Sequence, residues 1–133
     1  MSQPLAAIVA VATGGAVGSV LRYAFTLWFQ NLSKGFPLGT LLVNVLGSFV
    51  ITFVGAATAA DGRNPLPEVW RLAILVGVCG GYTTFSSFSL QTLDLLRAGF
   101  VGRAAANVLL SVGLCLGAAA LGYLAAARLG SGG

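Results

Sequence analysis

Histidine is absent from the sequence, acidic residues number only three, and cysteines only two. Each shortage removes a class of function. Without an imidazole the many serines have no general base beside them, so nucleophilic catalysis is not expected. Cys79 and Cys115 stand alone inside apolar segments, with neither metal-ligand spacing nor a disulfide framework. No glycine-rich loop runs into a lysine, so no nucleotide site is expected. The seven basic residues are scattered singly, and the net charge of +4 therefore builds no patch for nucleic acid. Asp61, Glu68 and Asp94 fall in or beside polar turns. The apolar segments thus lack the buried carboxylate on which cation antiporters and proton-coupled exporters commonly depend.

What the chain does have is apolar length. It is 57% hydrophobic and 8% charged over 133 residues, with a mean hydropathy of +0.94. A soluble domain carries roughly a quarter charged residues, so this is the composition of an integral membrane protein. At roughly 20 residues per crossing the length allows about four spans. The pattern predicts an all-α integral membrane protein of one domain, with transmembrane helices over about residues 4–29, 37–60, 70–96 and 104–127. The opening Met-Ser-Gln-Pro lacks a basic region, so the first apolar run is expected to be retained.

Polar residues inside these spans are placed in register. Gly14 and Gly18 offer a small-residue face to another helix. Arg22 follows on that face, either as a snorkelling anchor beside Tyr23 and Trp28 or as a charge that draws anions. Thr40, Asn44 and Ser48 recur every four residues on one face of the second span. Asn44 needs partners in lipid, from a neighbouring helix or from a solute path, and a second polar stripe favours the path. That stripe is Asn107, Ser111 and Cys115 on the fourth span. Gly113 and Gly117 lie on another face and suggest a second close helix contact. Arg128 and a Gly/Ser tail are expected at the membrane surface.

The third span carries the densest set, Gly80-Gly81-Tyr82-Thr83-Thr84-Phe85-Ser86-Ser87-Phe88-Ser89. Paired glycines are poor helix formers, so a break is expected over 80–84. Irregular backbone at bilayer depth is tolerated only inside protein or along a water-filled path. Phe85 and Phe88 share a direction, which fits a packed core as well as a binding site, but the interleaved serines favour a site. Amides, hydroxyls and ring edges suit an anion, while carbonyls freed at a break suit a small cation.

With four spans, Arg63, Arg71 and Arg128 fall on one side, and Lys34, Arg97 and Arg103 on the other, with Arg22 near them. Such balance gives almost no positive-inside preference. A chain that inserts both ways leads naturally to an antiparallel dimer with its axis in the membrane plane.

The segment from Cys79 to Ser89 resembles the third-helix signature of the Fluc (CrcB-like) fluoride channels. Gly39-Thr40-Leu41-Leu42-Val43-Asn44-Val45-Leu46-Gly47-Ser48-Phe49 is similar to their second-helix signature. The resemblance covers essentially the whole chain. It implies a dual-topology homodimer in the bacterial plasma membrane, conducting fluoride passively through two antiparallel pores and so relieving fluoride toxicity. By position, Phe85 and Phe88 would face the anion with their ring edges, and Asn44 would donate an amide hydrogen. Ser86 and Ser87 would supply hydroxyls, Ser111 would stand on the fourth-helix track, and Thr40 and Arg22 would belong to the pathway. A structural sodium ion would be held at the dimer axis by the backbone carbonyls of Gly80 and Thr83. Asn107 and Cys115 stand where some relatives have tyrosine and serine. A proton-coupled small-ion exporter and a non-conducting scaffold are the other classes that this size and topology allow.

Overall fold

The computed structural model describes residues 2–130. It contains four helices long and apolar enough to cross a membrane. These are α1 (Gln3–Trp28), α2 (Leu38–Ala57), α3 (Glu68–Arg97) and α4 (Val101–Gly130). The shortest, α2, has 20 residues, about 30 Å at 1.5 Å per residue, which matches a hydrocarbon core. With no strand among the described residues, the chain is an all-helical, multi-pass membrane protein. The tail at 131–133 lies outside the described residues.

The connections follow their local chemistry. After α1, Ser33 Oγ donates to Phe29 C=O at 2.9 Å and accepts from Gly39 N–H at 3.0 Å, tying the end of α1 to the start of α2. Gly35 makes that turn at φ 124°, a conformation open to glycine. At the end of α2, the Arg71 guanidinium donates to Thr58 Oγ1 at 3.3 Å and to Gly55 C=O at 3.2 Å, serving a helix C-terminus with a cation. α3 ends in a Schellman turn. Gly99 has φ 84°, its N–H bonds Leu96 C=O at 3.0 Å, and Phe100 N–H bonds Leu95 C=O at 2.9 Å.

The packing is set by small residues. The buried positions within the four helices are Gly14 and Gly18 on α1, Gly39, Thr40, Leu41, Val43 and Gly47 on α2, Gly77, Cys79 and Thr84 on α3, and Ala104, Asn107, Ser111, Gly122 and Ala126 on α4. Large aliphatic side chains point outward, which is the inverse of a water-soluble core and is what a lipid solvent demands. α1 lies against the first part of α3, and α2 lies against α4. The Gly14/Gly18 face expected from the sequence is the α1–α3 contact: added Cβ atoms there would run into the carbonyls of Ala73 and Val78.

One expectation is corrected and another is narrowed. Gly113 and Gly117 make no close helix contact within the chain, since nothing in it stands within 4 Å of a Cβ built on either. The tight glycine on α4 is Gly122, against Phe49 C=O and Thr52 Oγ1. It continues the Asn107–Ser111–Cys115 face by two further turns, and that is the face α4 turns to α2.

The other expectation, an irregular stretch over 80–84 of α3, narrows to its last two residues. Gly80 and Gly81 are helical, within a turn running to Tyr82, after a π-helical stretch at Leu72–Cys79. The extended residues are Thr83 (φ −81°, ψ 157°) and Thr84 (φ −153°, ψ 108°), and helix resumes at Phe85. Gly81 serves close approach, for a Cβ on it would lie 2.7 Å from Gly15 C=O, whereas one on Gly80 would meet only Leu75 C=O at 3.9 Å. The interruption falls two residues later, where a side chain of α2 captures the backbone.

Candidate functional site

That side chain is Asn44. Its Oδ1 accepts the Thr84 N–H at 2.7 Å, and its Nδ2 donates to Thr84 C=O at 3.0 Å. The carboxamide thus supplies one residue with both of the partners that a helix would have given it. In an unbroken α-helix the Thr84 N–H would bond Gly80 C=O. Asn44 diverts that donor.

Thr84 then starts the next helix. Its Oγ1 accepts from Ser87 N–H at 3.1 Å, an N-cap bond, and donates to Ser87 Oγ at 3.0 Å, with Ser86 Oγ at 3.3 Å. The buried threonine gathers the hydroxyls of the segment around itself. Before the break, Thr83 Oγ1 donates to Cys79 C=O at 2.9 Å, closing the last turn.

Beside this junction lies a cavity of about 370 Å³ lined by Asn44, Ser48, Thr83, Thr84, Phe85, Phe88, Ser111 and Cys115, with Ile51, Val112 and Leu116. None of its walls carries a charged side chain. The Phe85 and Phe88 rings stand 5.3 Å apart at 46°, a tilted pair that turns edges as well as faces to its surroundings. Phe85 is 77% exposed, so in the single chain the outer wall of the chamber is open.

From the chamber a hydrogen-bonded ladder runs between α4 and the second part of α3. Ser111 Oγ donates to Asn107 Oδ1 at 3.4 Å, Asn107 Nδ2 donates to Thr92 Oγ1 at 2.9 Å, and Thr92 Oγ1 donates to Phe88 C=O at 2.7 Å. Asn107 is only 2% exposed. A buried carboxamide demands such partners, and here they lock α4 to the helix that carries the phenylalanines.

Of the residues singled out in the sequence, Asn44, Phe85, Phe88, Ser111 and Thr83 meet at the chamber. Ser86 and Ser87 surround Thr84 Oγ1 and do not line it. Thr40 is buried and lines a second hollow of about 430 Å³ near the turn after α1, with Gln91 and Asp94. Gly80 is exposed on the outer side of α3. Arg22 reaches the break from α1, its Nε donating to Gly81 C=O at 3.0 Å. Sequence reasoning missed Thr84 and Thr92. A threonine three residues before Ser87 at a helix start was a legible cap signal. Thr92 carried no local signal, since its role depends on the register of α3 against α4. Among the described residues no group of three or more Cys, Asp or Glu is placed to hold a metal ion.

Residues 9–123 match the family described as CrcB-like protein, Camphor Resistance (CrcB). A protein of Gluconobacter oxydans named fluoride-specific ion channel FluC is 53% identical over 92% of this chain and 85% of its own length. Proteins of the same name from Methylobacterium radiotolerans and Opitutus terrae are each 52% identical, covering 92% and 91% of this chain and 85% and 92% of theirs. Similarity of that depth and extent, on a chain whose second- and third-helix signatures meet at one uncharged chamber, places it in a channel family and not among enzymes: the chain belongs to the CrcB-like (FluC) family.

Proposed function

We propose that the chain is a fluoride-selective, passive ion channel, which exports fluoride down its electrochemical gradient and relieves fluoride toxicity. The observation that carries this reading is the chamber, where an amide, hydroxyls and two phenylalanine rings converge with no charged wall. Asn44 Nδ2 has two N–H groups and one serves Thr84, so the other is available to an anion. Fluoride is small and strongly hydrated, and only closely spaced donors replace its water. Ser111 on α4 and the positive edges of Phe85 and Phe88 complete such a set. Ser86 and Ser87 act through Thr84, whose orientation they fix. Thr40 belongs to the opening at the loop end. With no carboxylate on the chamber, coupling to protons has no carrier there.

The working form in this proposal is an antiparallel homodimer, with α3 acting as a broken transmembrane helix. The exposed Phe85 ring and the outward Gly80 give a second copy a reason to cover this face. The near-equal basic charge on the two sides permits both orientations. A sodium ion fits the neutral donors present. Asn44 removes the helical partner of Gly80 C=O, and the extended backbone at Thr83 turns its carbonyl out of the helix line. The carbonyls of Gly80 and Thr83, from both copies, would hold it. A bound monovalent cation would supply positive charge between two chains that place no acidic group there.

The test is efflux from liposomes loaded with fluoride or with chloride, read by ion-selective electrodes on pure protein. Rapid fluoride release, without chloride release and without an imposed proton gradient, is expected. Release that requires a proton gradient would assign the chain to coupled exporters, and no release of either ion would leave a scaffold.

A further inference from the structure

We propose that Arg22 is a positioning residue for the break in α3, acting from α1 as a substitute for a main-chain donor that the break removes. This rests on the channel reading above. In a continuous α-helix Gly81 C=O would take the N–H of Phe85. The extended Thr83–Thr84 pair carries Phe85 into the next helix, and Arg22 Nε donates to Gly81 C=O at 3.0 Å in its place. One residue earlier the opposite happens. Asn44 Oδ1 takes the Thr84 N–H at 2.7 Å, and Gly80 C=O loses its helical partner.

The two neighbouring helices therefore sort the carbonyls of one turn. α2 opens the carbonyl of Gly80 and α1 closes the carbonyl of Gly81. The second bond is charge-assisted and half-buried, so it is stronger than the amide bond it replaces. Arg22 reaches because Gly18, one turn before it, lets the backbones approach: a Cβ there would stand 2.9 Å from Tyr82 N and would run into Val78 C=O. Arg22 does not line the chamber. Its effect on ions passes through the carbonyl arc that it orients, whereas the charge-steering and membrane-anchor readings need only its charge.

Chemistry separates these readings cleanly. The Nε2 of glutamine stands the same number of bonds from Cα as the Nε of arginine, so Arg22→Gln keeps the donor and drops the charge. Lysine places a methylene at that point and keeps the charge. Wild type, Arg22→Gln, Arg22→Lys and Arg22→Met are compared by fluoride efflux from liposomes. The same proteins in detergent are compared by thermal unfolding midpoint, in sodium chloride and in N-methylglucamine chloride.

Positioning predicts that Arg22→Gln stays within about threefold of wild-type efflux, while Arg22→Lys and Arg22→Met lose about tenfold or more. The unfolding midpoint of Arg22→Gln lies above that of Arg22→Lys in both salts, and any rise that sodium gives the wild type survives in Arg22→Gln only. An Arg22→Lys variant that fails to fold while Arg22→Gln folds is the same result in a stronger form. Efflux and midpoint of Arg22→Lys at or above those of Arg22→Gln would overturn the inference. If the wild type released no fluoride, the channel reading would fall, and the order of the midpoints would still decide the role of Arg22.

Discussion

The two parts of α3 are built on opposite plans. Residues 68–82 pack against α1 through the absence of side chains. A Cβ on Gly77 would stand 2.9 Å from both Gly14 Cα and Val11 C=O, and one on Gly81 2.7 Å from Gly15 C=O. Phe85–Arg97 meets its neighbours through side chains, with Thr92 bonded to Asn107 and Phe88 facing the chamber. Backbone contact of the first kind tolerates almost no substitution and contributes no chemistry. Contact of the second kind leaves space, and the chamber lies there. One membrane crossing is thereby divided into a fixed anchor and a chamber lining, with Asn44 fastened at the junction.

Substitutions ought to separate the halves. The largest effect is expected from Gly77→Leu, where the new side chain has no volume on the α1 side. Overpacking costs about 1–3 kcal/mol even in cores that relax, and here the obstacle is backbone. Loss of a monodisperse folded peak in size-exclusion chromatography is the expected outcome, and a normal peak with normal efflux would dissolve the distinction.

Next is Asn44→Asp, which removes the Nδ2 donor to Thr84 C=O and puts a negative charge on the chamber proposed to take the anion. Fluoride efflux is expected to fall by about a hundredfold or more. Normal flux in a correctly folded variant would remove Asn44 from the pathway.

A smaller change is expected from Asn107→Leu. The ladder loses both of its central bonds, to Thr92 and to Ser111, at a cost of about 1–3 kcal/mol when partners are left buried. The unfolding midpoint should drop, and the double variant Asn107→Leu/Thr92→Val should recover part of it. A midpoint indifferent to Asn107→Leu would show that the ladder holds nothing.

The same division explains what the sequence could tell. The four spans, the glycine face of α1 and the polar stripes of α2 and α4 were legible, because each depends on spacing within one helix. The chamber residues Asn44, Phe85, Phe88 and Ser111 were legible from their polar or aromatic character at bilayer depth. What escaped depends on register between helices. An irregular stretch was expected over 80–84, because paired glycines are poor helix formers. It falls at Thr83–Thr84 because Asn44 of α2 faces Thr84 and not Gly80. Gly113 and Gly117 look like a packing motif along α4, yet the face that meets α2 is the one bearing Gly122.

The measurement that bears most directly on the account is fluoride efflux per folded protein for Phe88→Ile against wild type. The ring is half-buried, its partner ring lies 5.3 Å away, and isoleucine keeps apolar bulk while removing the positive ring edge. The account predicts an unchanged size-exclusion profile with efflux lowered by about fivefold, the scale of one aromatic contact. Efflux equal to the wild type from equally folded protein would contradict it, and would return the phenylalanine pair to ordinary packing.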